Sequence, residues 1–408
     1  MSPVRPKVTL VGRRLGTEDH RLRDFFTRTA QEYEWVEAAP DETGLPRVVE
    51  EDGTVIEDAT VERVVEAWMR DNVPRQRSYD LVVVGSGPAG LSAAVYAASD
   101  GLSTLVLERD VPGGQMGHTS LIENLFGFRD GIGGAELTRL AGQQAERFGA
   151  HVLVLRGATG SRRGSDGPFE LELAGGFEVE ARAVIAAPGL VWRRIEVDGV
   201  EELLGRGVYY GAGRSEATQC GGDPVVVVGG GNSAGQAVMH LADAGARVTM
   251  LVRGDHLGKS MSAYLVDRID GHPLVDVRFG CEVAAVETAD DGQLGWVRTT
   301  SGDAIPARAL FLCLGGVPRT GWAADMGVRV DDAGFVLTGP DLLEGGRRPA
   351  DWPLARDPLA LETSVPGLFA AGDVRHGSTK RVGSAAGEGA MATALVHRRL
   401  EELLAAGG

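Results

Sequence analysis

Twice in this chain a short β-branched run passes straight into a glycine turn and then into a small-residue apolar segment, and few folds accommodate that order. Tyr79-Asp80-Leu81-Val82-Val83-Val84 leads into Gly85-Ser86-Gly87-Pro88-Ala89-Gly90 and a helix predicted over 91–98. Val225-Val226-Val227-Val228 leads into Gly229-Gly230-Gly231-Asn232-Ser233-Ala234 and a helix predicted to end at 242. Further strands are predicted over 104–107 and 247–252. The context is what gives these turns meaning, because 59 of the 408 residues are glycine, against a usual share of about 7 %. Gly387-Glu388-Gly389-Ala390-Met391-Ala392 has a similar spacing but follows no strand, and reads as helix packing.

Each residue of such a turn has a physical task. Gly85 makes the tight turn, Gly87 lets backbone approach a pyrophosphate, and Gly90 brings helix against strand, with Pro88 and Ala89 opening the helix toward the phosphates. Glu108 ends the next strand about 20 residues on, where a carboxylate accepts hydrogen bonds from a ribose. In the second unit Gly229 and Gly231 repeat the turn, and Asn232, Ser233 and Ala234 open the helix. Here the strand ends in Val252-Arg253. An arginine there, helped by Lys259, favours a 2′-phosphate and hence NADPH, with NADH possible. Two dinucleotide folds in one chain imply one tightly held and one exchangeable cofactor, for which FAD and NAD(P)H are the usual pair.

The remaining bounds come from size, charge and cysteine. A chain of 408 residues suits two or three domains. With 41 Lys and Arg against 57 Asp and Glu, the net charge of −16 repels phosphate backbones and anionic lipid, so nucleic acid and membrane are not expected as partners. The uncharged stretches 81–99 and 224–242 are cut by glycines, as strand–turn–helix units are and membrane spans are not. Three cysteines, Cys220, Cys281 and Cys313, form no C-x-x-C pair and indicate neither a disulfide framework nor a metal site. The N-terminus lacks the apolar core of a signal peptide, and a reducing cytoplasm is the expected location.

From about 78 to 402 the chain resembles the low-molecular-weight thioredoxin reductase group of flavoproteins. Pro112-Gly113-Gly114-Gln115 and Ile122-Glu123-Asn124 are similar to the family's flavin-contacting segment, which implies FAD contacts for Gly114, Gln115 and Asn124. Ala186-Ala187-Pro188-Gly189 stands at the family's A-T-G strand end, with proline as a departure. Gly367-Leu368-Phe369-Ala370-Ala371-Gly372-Asp373 resembles the second FAD signature, whose aspartate bonds the ribityl chain. Lys380-Arg381-Val382 opens the last helix beside the flavin ring. The resemblance implies an α/β fold: two Rossmann-like three-layer domains, with an FAD domain at 78–190 and 312–408 interrupted by an NAD(P)H domain at 191–311. The glycine-rich loop 205–223 is expected to act as a hinge, and a homodimer is implied. By family position His118, His376, Lys380 and Arg381 are the catalytic candidates near the ring.

Residues 1–77 lie outside that resemblance. Strands over 8–11, 33–36, 45–49 and 53–56, with helices over 19–29 and 59–69, give a β-α-β-β-β-α order that resembles a small thioredoxin or glutaredoxin fold. Where such a domain carries redox cysteines, this chain reads Leu15-Gly16-Thr17-Glu18-Asp19-His20. A second absence is sharper. Thioredoxin reductases carry a C-x-x-C shortly before the second Rossmann strand, and here that stretch reads Tyr209-Tyr210-Gly211-Ala212-Gly213-Arg214-Ser215-Glu216. Without a thiolate there is no thiol–disulfide exchange, so electrons are expected to pass from flavin directly to an external acceptor, a small molecule or a redox protein. The alternatives are a ferredoxin- or flavodoxin-NADP reductase, a biosynthetic flavoenzyme acting on a metabolite, and a non-catalytic flavin-binding scaffold or sensor.

Overall fold

The computed structural model describes residues 7–13, 16–69, 71–119, 121–163, 167–211, 220, 222–258 and 261–407. Leu15, Lys259 and the stretch from Ala212 to Glu216 therefore lie outside the described residues.

The first glycine unit forms as its sequence predicts. Strand Ser78–Val84 passes through the turn into helix Pro88–Ser99 and on to strand Thr104–Leu107. Leu81, Val82 and Val83 are fully enclosed, as befits a parallel strand covered on both faces. Strand Ser78–Val84 pairs parallel with Thr104–Leu107 on one side and with Phe177–Ala186 on the other. Leu368–Ala370, nearly two hundred residues downstream, joins the same sheet beside Phe177–Ala186, also parallel. The long C-terminal helix Val382–Gly407 packs across helix Pro88–Ser99. Gly389 permits that contact: a Cβ there would stand 2.0 Å from the Ala89 carbonyl oxygen.

The second unit builds a five-stranded parallel sheet in the order Val208–Tyr210, Ala309–Leu312, Pro224–Val228, Arg247–Val252 and Val275–Phe279. Helix Asn232–Asp243 covers one face, and a three-stranded antiparallel sheet of Val283–Thr288, Leu294–Thr299 and Ala304–Pro306 adds to the other. Leu312 belongs to this sheet, so the expected boundary between 311 and 312 falls inside a strand. The chain passes between the two halves through a short antiparallel ribbon, Leu190–Trp192 against Gly316–Pro318. Within the expected hinge 205–223, Val208–Tyr210 is an edge strand, and residues 212–219 and 221 lie outside the described residues.

The N-terminal elements follow the order expected from sequence: Val8–Gly12, Thr17–Arg28, Tyr33–Glu37, Arg47–Val49, Val55–Ile56 and Val61–Trp68. Their sheet runs Tyr33–Glu37, Val8–Gly12, Arg47–Val49, Val55–Ile56, the first pair parallel and the others antiparallel. Leu10, Leu22, Phe26, Val48 and Val64 form its core, which also takes in Val111 and Val154 from the first glycine unit. This small domain is therefore packed onto the larger body.

Candidate functional site

Two close approaches and one open position shape the first turn. Gly85 sits at φ +104°, and a Cβ there would lie 2.3 Å from the Ala187 carbonyl oxygen; at Gly90 it would lie 1.9 Å from the Gly85 carbonyl oxygen. Gly87, by contrast, has nothing within 4 Å of that position. The open space stands in front of the N-terminus of helix Pro88–Ser99, where unbonded N–H groups favour an anion. Glu108 is only 6 % exposed. One carboxylate oxygen accepts from the Ser86 N–H at 3.0 Å and the Ser86 hydroxyl at 2.7 Å, and the other from the Asp110 N–H at 2.9 Å. Glu108 thus holds the turn together as well as presenting a carboxylate to the space beyond it.

Segments far apart in sequence meet at this turn. A Cβ on Gly114, at φ +53°, would lie 3.5 Å from Gly87 Cα, and one on Gly372 would lie 3.1 Å from Ala89 Cβ. Gly189 has a left-handed backbone and no atom within 4 Å of its missing side chain. The Gln115 amide nitrogen is buried without a hydrogen-bond partner. Burial raises the Asp373 pKa above the ordinary carboxylate value, and no described group donates to its carboxylate. The Lys380 ammonium donates to the Asp373 carbonyl at 3.0 Å and to the Ser378 hydroxyl at 2.7 Å, and lies 4.6 Å over the Phe335 ring. Glu388, which the sequence shows only as part of a helix, accepts from the Gly372 N–H at 2.7 Å and from Arg375 at 2.9 Å.

The second turn is built alike but held less. A Cβ on Gly229, at φ +140°, would lie 2.4 Å from the Cys313 carbonyl oxygen. The Asn232 side-chain oxygen accepts from the Ser262 N–H at 2.7 Å, tying the turn to the start of helix Ala263–Asp270. Arg253 follows its strand with a side chain 84 % exposed and 3.8 Å from Glu282.

One cavity of about 1860 Å³ joins both turns, room for two cofactors when a single ligand takes roughly 300–1,000 Å³. Of the residues named from sequence as site residues, all but Gly90 and His376 line it. Gly90 acts from behind, through helix–strand contact. His376 faces Asp331 instead, with Nδ1 2.6 Å from a carboxylate oxygen. His118 does line the cavity. Burial, with the Arg28 guanidinium nearby, pushes its pKa down to about 4, so at pH 7 it is a neutral imidazole and not a store of protons. Its Nδ1 is 3.7 Å from Asp24. Thr17, His20, Arg21, Asp24 and Arg28, one face of the N-terminal helix Thr17–Arg28, complete the wall. The sequence shows their helical spacing but not which way that face turns.

The residues fit FAD on the evidence of the chain itself: a glycine cradle at Gly87, Gly114 and Gly189, an orphaned amide at Gln115, the buried carboxylate of Glu108 and the half-buried carboxylate of Asp373. A parallel-sheet protein with two such turns opening on one cavity is a two-dinucleotide flavoprotein oxidoreductase. The family model for pyridine nucleotide-disulphide oxidoreductases matches residues 79–389, and the chain belongs to that family. A thioredoxin reductase of Bacillus subtilis is 33 % identical over 334 residues, covering 80 % of this chain and 96 % of that protein. The thioredoxin reductase of Lactococcus lactis, in its FR conformation, superposes with a TM-score of 0.68 at 29 % identity, over 79 % of this chain and 99 % of that one. The T. acidophilum thioredoxin reductase gives 0.69 at 28 % identity with the same coverage. Thioredoxin reductase-like flavoproteins of this kind use FAD and NADPH. The N-terminal residues before 79 lie outside the family match. No helix among the described residues is long and apolar enough to cross a membrane.

Proposed function

We propose that the protein is an FAD-dependent NAD(P)H oxidoreductase that delivers electrons to an external acceptor without a protein disulfide. When bound, the flavin supplies hydride acceptance from nicotinamide and onward electron transfer. The chain's own part is to bind and orient. Gly85, Gly87, Gly114, Gly189 and Glu108 seat the dinucleotide, Asp373 and Gln115 offer hydrogen bonds to its middle and ring, and Lys380, Arg381 and Val382 border the ring. Gly229, Gly231, Asn232, Ser233 and Ala234 take the nicotinamide nucleotide, with Arg253 favouring NADPH.

One observation carries the disulfide-free reading: no cysteine is paired with another, Cys281 and Cys313 lining the cavity singly. All three cysteines are free and buried, and burial pushes the Cys313 thiol up to about 12, leaving no useful thiolate at neutral pH. None falls between 209 and 216. The N-terminal β-α-β-β-β-α domain fits a thioredoxin-like module without redox cysteines, and three free cysteines suit a cytoplasmic protein. We further propose a homodimer, an FAD domain formed by two stretches around the ribbon 190–192/316–318, and a small-molecule or redox-protein acceptor.

The test is spectroscopic. The purified protein should be yellow, bleach with NADPH in the absence of oxygen, and recover its colour with a small acceptor such as benzoquinone but not with a thioredoxin. A colourless protein that refuses FAD, or ready reoxidation by a thioredoxin, would contradict the proposal.

A further inference from the structure

The N-terminal domain touches the loop that links the two ends of the flavin site. That loop runs from Glu108, beside the ribose position, to Gly114 and Gln115. Its path depends on two consecutive left-handed glycines, Gly113 at φ +102° and Gly114 at φ +53°, a conformation that costs backbone entropy to hold. Within the first unit, the Gly113 N–H donates to the Ser86 carbonyl at 2.9 Å and the Asp110 N–H to Glu108.

Arg28, the last residue of helix Thr17–Arg28, adds a grip from outside. It is 6 % exposed. Its guanidinium donates to the Asp110 carboxylate at 3.3 Å, to the Val111 carbonyl at 3.2 Å and to Asp24 on its own helix at 3.4 Å. Its stem lies along Gly117, where a Cβ would stand 4.0 Å from Arg28 Cβ. A second grip lies on the neighbouring strand end. The Asn72 side chain donates to the Val154 carbonyl at 2.7 Å and accepts from the Val154 N–H at 2.9 Å. The preceding residue, Leu153, accepts from the Glu108 N–H at 2.9 Å. Val111 and Val154 are both buried in the N-terminal domain's core. The domain thus holds both the segment that follows Glu108 and the strand end to which the Glu108 N–H donates.

We propose that Arg28 is a positioning residue for FAD, and that through Asp110 and Val111 the N-terminal domain sets how fast the flavin leaves. The physical basis is preorganisation: a loop already held in its binding shape loses less entropy when it closes on a ligand and opens less often afterwards. The charge arrangement adds to this, since one guanidinium offsets two carboxylates, Asp24 and Asp110, that would otherwise repel a pyrophosphate. The inference rests on the seating of FAD at the first turn described above.

The experiment measures FAD release from holoprotein by dilution and rapid ultrafiltration. Arg28→Met should release flavin about tenfold faster than the parent, and Arg28→Lys, which keeps the charge but not the fork, about threefold faster. Removing the stranded carboxylate as well, in Arg28→Met/Asp110→Asn, should recover part of the loss. Val64→Ala, in the same domain's core but making no hydrogen bond to the loop, should lower the melting temperature without speeding release more than about twofold. Release from Arg28→Met at the parental rate, or equal acceleration by Val64→Ala, would overturn the proposal. Should Arg28→Met not fold, Arg28→Lys decides it: parental release overturns it and faster release at an unchanged melting temperature supports it. A parent that binds no FAD would instead overturn the seating itself, so the two failures are distinguishable.

Discussion

Around Gly85 the first turn is enclosed on several sides, by the Ala187 carbonyl, by Gly114 over Gly87, and by Gly372 and Gly389 over Ala89. Around Gly229 the comparable contacts are the Cys313 carbonyl and the Ala234 methyl, with Asn232 bound to Ser262. The residues closing the two nucleotide strands differ in the same sense, Glu108 being buried and Arg253 mostly exposed. One short sequence device therefore yields a turn walled by distant parts of the chain and a second turn with fewer such walls. On the proposed function, what separates a resident dinucleotide from a visiting one is the packing around the turn, not the turn.

The strongest way to break this comparison is to add one methyl group to each turn. Gly90→Ala places a Cβ against the Gly85 carbonyl, backbone that cannot step aside, and should cost about 3 kcal/mol with loss of bound flavin. Gly230→Ala meets only the end of the Val252 side chain at 3.2 Å and should cost about 1 kcal/mol or less. Chemical denaturation and flavin content report both; equal losses would show that the two turns are held alike.

Next in size is Asp373→Ala. Losing a charge-assisted hydrogen bond should weaken FAD binding by about 1.5–3 kcal/mol, read as a rise in the dissociation constant on titrating apoprotein with FAD. NADPH affinity, measured separately, should hardly move. Arg253→Ala is the mirror experiment. It should raise KM for NADPH by about tenfold and leave NADH within about twofold, because only the 2′-phosphate loses a partner. Equal loss for both nucleotides would show that Arg253 does not read the phosphate.

The smallest effect is a pH dependence confined to the enclosed side. In an unfolded chain His118 takes up its proton near about pH 6.5, whereas in the fold it does so only near about 4. Between those values the unfolded state binds more protons, so this part of the stability is complete above the window and is lost as pH falls through it. His118→Gln should flatten the fall in melting temperature between neutral pH and the acid end of that window, relative to the parent. An unchanged profile would show that His118 is not held neutral.

Much of this was legible in the residues because local chemistry demanded it. Only glycine fits where Gly85 meets the Ala187 carbonyl, and the valine runs before each turn are buried on both faces, as continuous apolar strands must be. Gly389 as a helix-packing residue was equally readable. Glu388 was not, since its partners Gly372 and Arg375 lie in another segment and a glutamate in a helix announces neither. The face formed by Thr17, His20, Asp24 and Arg28 has the look of a solvated polar stripe, and only the docking of the whole domain turns it into a cavity wall. His376, expected near the flavin by family position, pairs with Asp331 and is not among the residues that line the cavity.

The claim that electrons pass without a protein disulfide is tested most directly by anaerobic titration of the oxidised holoprotein with NADPH, following the flavin absorbance. Full bleaching should be reached at about one NADPH per flavin, the two electrons a flavin alone can hold. An end point near two NADPH per flavin, returning to one when Cys220, Cys281 and Cys313 are changed to serine, would contradict the account and place a sulfur in the electron path.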